Sequence, residues 1–135
     1  MKKIVLDTNA YTALMQGQPA VKQAIENAEQ VFIPVFVLAE LLFGFKNGAR
    51  EEANNTLLKD FLKLQGVSIQ HTTNETAQIF SELQLDLKQK GTPIPTHDIW
   101  IAALAIETGS VVVTFDRHFL NVGKARVWGD PVLSR

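Results

Sequence analysis

The 135-residue sequence predicts a three-layer α/β/α sandwich with a mainly parallel central sheet, formed as a single domain over residues 1–135. Two observations support this fold class. Short runs rich in β-branched residues alternate along the chain with longer stretches of helical periodicity, as expected for β–α–β units. The strand runs are also continuously apolar, which is typical of parallel strands that are covered by helices on both faces.

Four apolar runs are predicted to form the strands of this sheet. The main runs cover residues 4–6, 31–33, 67–69 and 111–114. A short fifth strand is predicted at one edge, over residues 126–128. Right-handed crossovers between parallel strands would place a functional site at the carboxyl ends of the strands.

Helices are predicted between the strands from apolar periodicity and from end signals. One helix opens with Thr72 and Glu75, which have the spacing of a capping box. Glycine follows three of the helices closely, at the position where a left-handed C-cap residue is common. The predicted helices cover about 34–45, 50–64, 72–90 and 96–108.

Composition excludes several classes of protein. The chain has no cysteine, so disulfide scaffolds, thiolate zinc sites and cysteine nucleophiles are excluded. The longest apolar run, residues 31–43, is interrupted by Pro34 and Glu40, and the N-terminus lacks the apolar stretch of a signal peptide. A cytoplasmic protein without a membrane span is therefore predicted. The net charge of −1 does not indicate a nucleic-acid binder, although the distribution of charge matters more than its sum.

Two aspartates lie at the ends of predicted strands. Asp7 comes after the first strand, and Asp116 comes after the fourth. Both are expected at the carboxyl edge of the sheet, where a parallel α/β fold places its ligands. Each also has a structural interpretation, since Asp7 is equally expected to cap a helix that starts near Ala10, and Asp116 to form a turn.

Two further carboxylates lie in apolar helices. Glu40 is in a helix that is apolar on every side, and it is therefore expected to be buried. A buried glutamate is costly unless it is paired or coordinates a metal ion, so a metal site is predicted here. The structural alternatives are a buried ion pair or a glutamate that extends to solvent at the edge of the helix. Asp98 lies in the first turn of an apolar helix, where an acidic residue also interacts favourably with the helix dipole.

Together the four carboxylates indicate a metal site. Converging carboxylates repel one another, so they are tolerated only with bound cations or with raised pKa values. Oxygen ligands without cysteine or closely spaced histidine favour Mg²⁺ or Mn²⁺ over zinc. The histidines lack a metal-binding spacing, and His97 and His118 are interpreted as surface or substrate-rim residues. A divalent ion at this site would activate water and stabilise a phosphoryl transition state.

Four motifs in chain order resemble the PIN domain, and more narrowly the VapC-type toxins of toxin–antitoxin modules. Three of them place an aspartate at a strand end or at a helix start, and one places a glutamate in an apolar helix. In this chain they are Val5-Leu6-Asp7-Thr8-Asn9, Pro34 with Glu40, His97-Asp98-Ile99-Trp100-Ile101-Ala102-Ala103, and Thr114-Phe115-Asp116. The resemblance covers nearly the whole chain.

The resemblance implies a metal-dependent endoribonuclease that uses Mg²⁺ or Mn²⁺, forms a homodimer and binds a cognate antitoxin. It implies that the catalytic and metal-binding residues are Asp7, Glu40, Asp98 and Asp116. Many members of the family carry a further acidic residue where this chain has His118, so the occupancy of a second metal position stays open. Candidates for contacts with the RNA substrate, chosen for their position or charge, are Thr8, Asn9, Thr114 and Arg117.

Two other functions stay open. One is a small-molecule phosphohydrolase of the haloacid-dehalogenase type, whose motif requires a second aspartate two residues after the first, where this chain has Asn9. The other is a catalytically inactive RNA-binding or regulatory domain whose acidic cluster is structural. Retention of a costly buried glutamate favours activity over the inactive alternative.

Overall fold

The computed structural model describes residues 2–128, so residues 1 and 129–135 of the predicted domain lie outside the described part. Its sheet has five strands, and every neighbouring pair is parallel. The strands are β1 (Lys3–Leu6), β2 (Gln30–Pro34), β3 (Val67–Gln70), β4 (Val111–Val113) and β5 (Arg126–Val127). All five predicted strands are confirmed to within one residue at each end.

Six α-helices and one short 3-10 helix, Arg117–Asn121, accompany this sheet within residues 2–128. The α-helices are α1 (Thr8–Met15), α2 (Pro19–Glu26), α3 (Val35–Lys46), α4 (Glu51–Leu62), α5 (Asn74–Lys90) and α6 (Thr96–Thr108). The helix α2 is not among the predictions, although the proline in its first turn is a start signal. No helix in the described residues has the length and apolar character needed to cross a membrane.

The N-cap of α5 lies one residue beyond the predicted N-cap. Thr73, not Thr72, is the N-cap, and it exchanges hydrogen bonds with Thr76 rather than with Glu75. The reason is a contact between this end of α5 and the helix α6. Thr76 is fully buried and donates a hydrogen bond to Glu107 near the end of α6, and Thr73 donates to the same carboxylate. The capping box therefore also ties α5 to α6.

Helices cover both faces of the sheet. Helix α5 packs along α6, which packs against β1 and β4, while α3 contacts α1 and α4 and packs against β2 and β3. Parallel crossovers are right-handed, so the change of direction between β3 and β4 places α5 and α6 on the face opposite α1–α4. The predicted three-layer α/β/α fold is confirmed.

The strand order places a crevice at one edge of the sheet. The order is β3-β2-β1-β4-β5, and the central strand β1 has three fully buried residues, Ile4, Val5 and Leu6. The chain runs outward from β1 to β3 and then returns to the other side of β1, so the order reverses between β1 and β4. Such a reversal opens a ligand-binding crevice at the carboxyl ends of the two strands. Leu6 pairs with Val113 there, so the residues that follow both strands are neighbours.

Gly66 allows the turn before β3 to approach the turn before β2. Its φ is +86°, and a Cβ at this position would lie 2.6 Å from the backbone oxygen of Glu29. We expect Gly66→Ala to destabilise the protein by about 3 kcal/mol, since backbone strain and steric overlap each cost about 1–2 kcal/mol. Gly91 is the matched control, because its φ is +70° but a Cβ there would meet no other part of the chain within 4 Å. Urea denaturation of both variants measures the difference, and equal losses would contradict the steric effect.

Candidate active site

Four carboxylates come together at the carboxyl edge of β1 and β4. They line a pocket of ≈ 300 Å³ whose wall is formed by Asp7, Thr8, Asn9, Glu40, Pro95, His97, Asp98, Ile101 and Asp116. A larger pocket of ≈ 540 Å³ between α5 and the loop before α6 contains none of these carboxylates. The acidic residues predicted from the sequence therefore share one pocket. This pocket lies between β1 and β4, where the strand order reverses.

Asp7 both caps α1 and faces this pocket, so the two interpretations that its position in the sequence left open are compatible. Its Oδ1 accepts a hydrogen bond of 2.8 Å from the backbone N–H of Ala10, and its Oδ2 accepts one from the hydroxyl of Thr114. The residue is only 5% exposed. Burial raises the pKa of Asp7 from 3.8 to about 6, and the nearby charges of Asp98 and Asp116 act in the same direction.

Thr114 links two of the acidic residues. It is fully buried directly after β4, and its hydroxyl donates to Asp7 while it accepts a hydrogen bond of 2.9 Å from the backbone N–H of Asp116. Its carbonyl oxygen accepts a hydrogen bond of 2.5 Å from Nε1 of Trp128. Thr114 was a candidate for contact with substrate, but its hydroxyl points at the carboxylate of Asp7.

Asp98 and Asp116 reach the pocket from the first turn of α6 and from the turn after β4. Burial raises the pKa of Asp98, and the neighbouring charge of Asp116 adds to this effect, while a hydrogen bond from His118 opposes it. Asp116 also caps the short 3-10 helix, because its Oδ1 accepts a hydrogen bond of 2.9 Å from the backbone N–H of His118. The predicted turn at Asp116 is therefore present.

His118 contacts both of these aspartates. Its Nδ1 lies 3.2 Å from Oδ2 of Asp98 and 2.9 Å from Oδ1 of Asp116. The side chain is 49% exposed, in agreement with the interpretation as a rim residue, but the contacts with the two carboxylates were missed. A sequence signal was present only for the contact with Asp116, since His118 is two residues from it in the turn after β4.

The expectation that Glu40 is buried is wrong. Its side chain is 49% exposed, and it accepts a hydrogen bond of 2.5 Å from the hydroxyl of Thr8. Nε2 of His97 lies 2.7 Å from Oε1 of Glu40, although the two groups lack the alignment of a hydrogen bond. The prediction assumed that a helix apolar on every side is buried on every side, but only Val37 and Leu41 of α3 are buried. Its apolar outer face is open to solvent, and Phe43 is 68% exposed.

The remaining substrate candidates lie in different places. Thr8 and Asn9 line the pocket from the first turn of α1. Arg117 is exposed at the start of the 3-10 helix and is not part of the pocket wall.

The comparison with families of known proteins identifies the fold family. The family model of the PIN domain matches residues 4–125. The chain belongs to the PIN domain family. PIN-domain nucleases generally depend on divalent metal ions, and this PIN domain has an acidic cluster at the carboxyl edge of its sheet.

Relatives of this PIN domain extend over nearly its full length. It is 28% identical over 130 residues to the tRNA(fMet)-specific endonuclease VapC of Salmonella typhimurium. The aligned residues cover 94% of this chain and 97% of that protein. It is 28% identical over 116 residues to ribonuclease VapC2 of Haemophilus influenzae, covering 84% of this chain and 86% of that protein. Each of these relatives is a nuclease by name.

Solved structures are similar over the same length. The crystal structure of VapBC2 from Rickettsia felis bound to a promoter DNA fragment matches with a TM-score of 0.82 at 26% identity, over 93% of this PIN domain and 97% of that chain. DNA-bound VapBC from Salmonella typhimurium matches with a TM-score of 0.82 at 25% identity, over 95% and 98% of the two chains.

The donor atoms in this PIN domain fit a divalent cation. One ligand atom each from Asp98, Asp116 and His118 can be chosen so that all three lie within 4.8 Å of one another. The carboxylates of Asp7 and Glu40 line the same pocket. Because burial and mutual repulsion raise the pKa of Asp7 and of Asp98, a bound cation would stabilise the ionised forms of both.

The hydroxyl of Thr114 is expected to be required for the ionised form of Asp7. We expect Thr114→Val to destabilise the metal-free protein by about 1–3 kcal/mol near neutral pH, because it leaves a buried carboxylate oxygen without its donor. Thr114→Ser keeps the hydroxyl and is the matched control. Urea denaturation in EDTA measures the effect. Equal stability of the Val variant and the wild-type protein would show that this hydrogen bond does not matter.

Proposed function

We propose that this chain is a divalent-metal-dependent endoribonuclease and the toxin of a toxin–antitoxin module. The convergence of Asp7, Glu40, Asp98 and Asp116 on one pocket of a PIN domain carries the proposal. The full-length similarity to proteins named as VapC ribonucleases supports the same function. Neither the phosphohydrolase nor the inactive regulatory domain gains support from these relatives.

We infer that Asp7, Asp98 and Asp116 hold a Mg²⁺ or Mn²⁺ ion, with Glu40 as a further ligand through water or as the base that orients the nucleophile. When bound, the ion supplies activation of water and stabilisation of the charge that develops on the phosphoryl oxygens. Asp7 retains free lone pairs for this role, since each of its oxygens accepts one hydrogen bond and a carboxylate oxygen can accept more.

The residues around the carboxylates position them for this chemistry. Thr114 and the backbone N–H of Ala10 fix both oxygens of Asp7. On another side of the pocket, the hydroxyl of Thr8 donates a hydrogen bond to Oε1 of Glu40, and Nε2 of His97 lies beside the same oxygen. The carboxylate is therefore oriented before substrate binds. This rigid arrangement lowers the cost of organising charge around a phosphodiester. Asn9 and Arg117 remain proposed contacts for the RNA backbone.

We propose that the chain binds a cognate antitoxin and forms a homodimer. The antitoxin is supported by the overall similarity to chains from structures named VapBC2 and VapBC. The homodimer rests on the resemblance to VapC-type toxins. We further propose that the protein acts in the cytoplasm, where its RNA substrate would be found. Sedimentation of the purified chain tests the homodimer directly, and a monomer at micromolar concentration would contradict it.

Cleavage of a mixed RNA pool, including transfer RNA, tests the proposed activity. Purified protein with Mg²⁺ or Mn²⁺ is expected to cut one or a few RNA species, and EDTA is expected to stop the reaction. Asp116→Asn is expected to be inactive, because it removes a carboxylate that lines the pocket. Cleavage by the purified protein that persists in EDTA, or that is equally fast in Asp116→Asn, would contradict the proposal.

A further inference from the structure

His118 contacts two carboxylates of the proposed site with one nitrogen. Its Nδ1 is 2.9 Å from Oδ1 of Asp116 and 3.2 Å from Oδ2 of Asp98. We propose that the imidazole of His118 is a metal ligand beside Asp98 and Asp116, and that this nitrogen makes the site prefer Mn²⁺ to Mg²⁺. The inference rests on the proposed metal-dependent function and adds to it a ligand and a metal preference.

The spacing of the donor atoms matches that of adjacent ligands around an octahedral ion. With bonds of about 2.1 Å, adjacent ligands of an octahedral ion lie about 3 Å apart. The two distances from Nδ1 of His118, 2.9 Å and 3.2 Å, are close to this value. One ligand atom from each of the three residues can also be chosen so that all three atoms lie within 4.8 Å of one another. A single cation would therefore bind all three residues after a small adjustment of their side chains.

The backbone of His118 is held in place on both sides. Its N–H donates a hydrogen bond of 2.9 Å to Asp116, whose own backbone N–H donates one of 2.9 Å to the hydroxyl of Thr114. The next residue, Phe119, is fully buried and anchors the short 3-10 helix in the core. A ligand held by a fixed backbone loses little freedom when it binds an ion, so His118 is preorganised for this role.

His97 differs from His118 in the groups that its ring contacts. It approaches Glu40 alone, at 2.7 Å, and its ring packs edge-on against Phe36 with centroids 5.2 Å apart. His97 is therefore positioned to orient Glu40, whereas His118 shares a donor set with two aspartates. The contrast provides a control, because both histidines lie at the site and only one is proposed as a ligand.

The nitrogen donor determines the expected metal preference. Mg²⁺ binds almost entirely through oxygen and gives up its water reluctantly. First-row transition ions accept imidazole nitrogen beside carboxylates, and Mn²⁺ is the member of this series whose ligand preferences otherwise come nearest to those of Mg²⁺. Many members of the family carry an acidic residue where this chain has His118. A neutral imidazole at this position removes one negative charge, which lowers the attraction of the site for a hard cation.

Pulsed electron paramagnetic resonance of the Mn²⁺ complex tests the ligand directly. The wild-type protein is expected to show coupling of Mn²⁺ to a ¹⁴N nucleus, and His118→Asp is expected to bind Mn²⁺ without this coupling. His97→Gln is the matched control and is expected to keep it. Mn²⁺ bound to the wild-type protein without nitrogen coupling would overturn the proposal, as would coupling that persists in His118→Asp.

Calorimetric titration with each ion measures the preference independently of catalysis. The ratio of the Kd for Mg²⁺ to the Kd for Mn²⁺ is expected to fall by about tenfold in His118→Asp, which corresponds to about 1.4 kcal/mol. A second variant, His118→Gln, removes the imidazole without adding charge, and it is expected to lower the ratio as well. An unchanged ratio in both variants would overturn the preference. Failure of both ions to bind the wild-type protein would overturn the proposed function itself.

Discussion

Asp98→Asn is expected to lower the rate of RNA cleavage by about 10³-fold, which corresponds to about 4 kcal/mol of transition-state stabilisation. Asp98 lines the pocket, and its Oδ2 lies 3.2 Å from Nδ1 of His118. Asp98, Asp116 and His118 form the group that could hold a metal ion. The substitution replaces a charged oxygen ligand by a neutral amide, so it weakens both the binding of a cation and the neutralisation of charge on the phosphate. Single-turnover cleavage at saturating metal concentration measures the loss.

The same substitution is expected to leave the metal-free protein at least as stable as the wild type. Burial and the charge of Asp116 raise the pKa of Asp98, so its ionised form is unfavourable in the fold, and an amide removes that cost. Asp86→Asn is the matched control, since Asp86 lies on α5 in an exposed ion pair of 3.1 Å with Lys90. We expect this control to cleave RNA at the wild-type rate. Wild-type cleavage by Asp98→Asn would contradict the assigned site.

The stability of the metal-free protein is expected to fall as the pH rises through about 6, because of Asp7. Burial raises the pKa of Asp7 from 3.8 to about 6, so the folded protein holds this proton more tightly than the unfolded chain does. The resulting contribution to stability is fully present below about pH 4 and is lost above the folded pKa. A shift of about two units corresponds to about 3 kcal/mol. The raised pKa of Asp98 acts in the same direction.

Comparison with Asp7→Asn separates this effect from the titration of other carboxylates. Urea denaturation of both proteins in EDTA at several pH values gives the difference in their unfolding free energies. As the pH rises from about 4 to about 8, we expect the wild-type protein to lose about 3 kcal/mol of unfolding free energy relative to Asp7→Asn. Mg²⁺ or Mn²⁺ at pH 8 should restore the stability of the wild-type protein but not of the variant. A difference that does not depend on pH would show that Asp7 is ionised in the fold without cost.

Part of the site was predictable from local chemistry. A polar residue after a continuously apolar run lies at a strand end, so the places of Asp7 and Asp116 in the fold followed from these apolar runs alone. Asp98 lies in the first turn of a helix that begins after a proline-rich loop, which is also a local feature. Parallel strands then bring such residues to one edge of the sheet, because all carboxyl ends point the same way.

Glu40 and Thr114 were not predictable in the same way. The burial of a helical residue depends on what packs against its face, and α3 leaves the face with Glu40 and Phe43 open to solvent. A threonine at the end of a strand does not reveal its partner, which here is Asp7, 107 residues away in the chain. Both cases depend on contacts between segments that are distant in sequence.

The sequence by itself determined the elements of this protein and the acidic residues at their ends, because apolar periodicity, caps and turns act over a few neighbouring residues. Only the tertiary structure decided the strand order β3-β2-β1-β4-β5, and with it the crevice between β1 and β4. It also decided that His118 meets Asp98 across 20 residues of chain. The physical reason is that packing of helices on a sheet selects among many arrangements of the same elements, and the contacts of a side chain exist only once one arrangement is chosen.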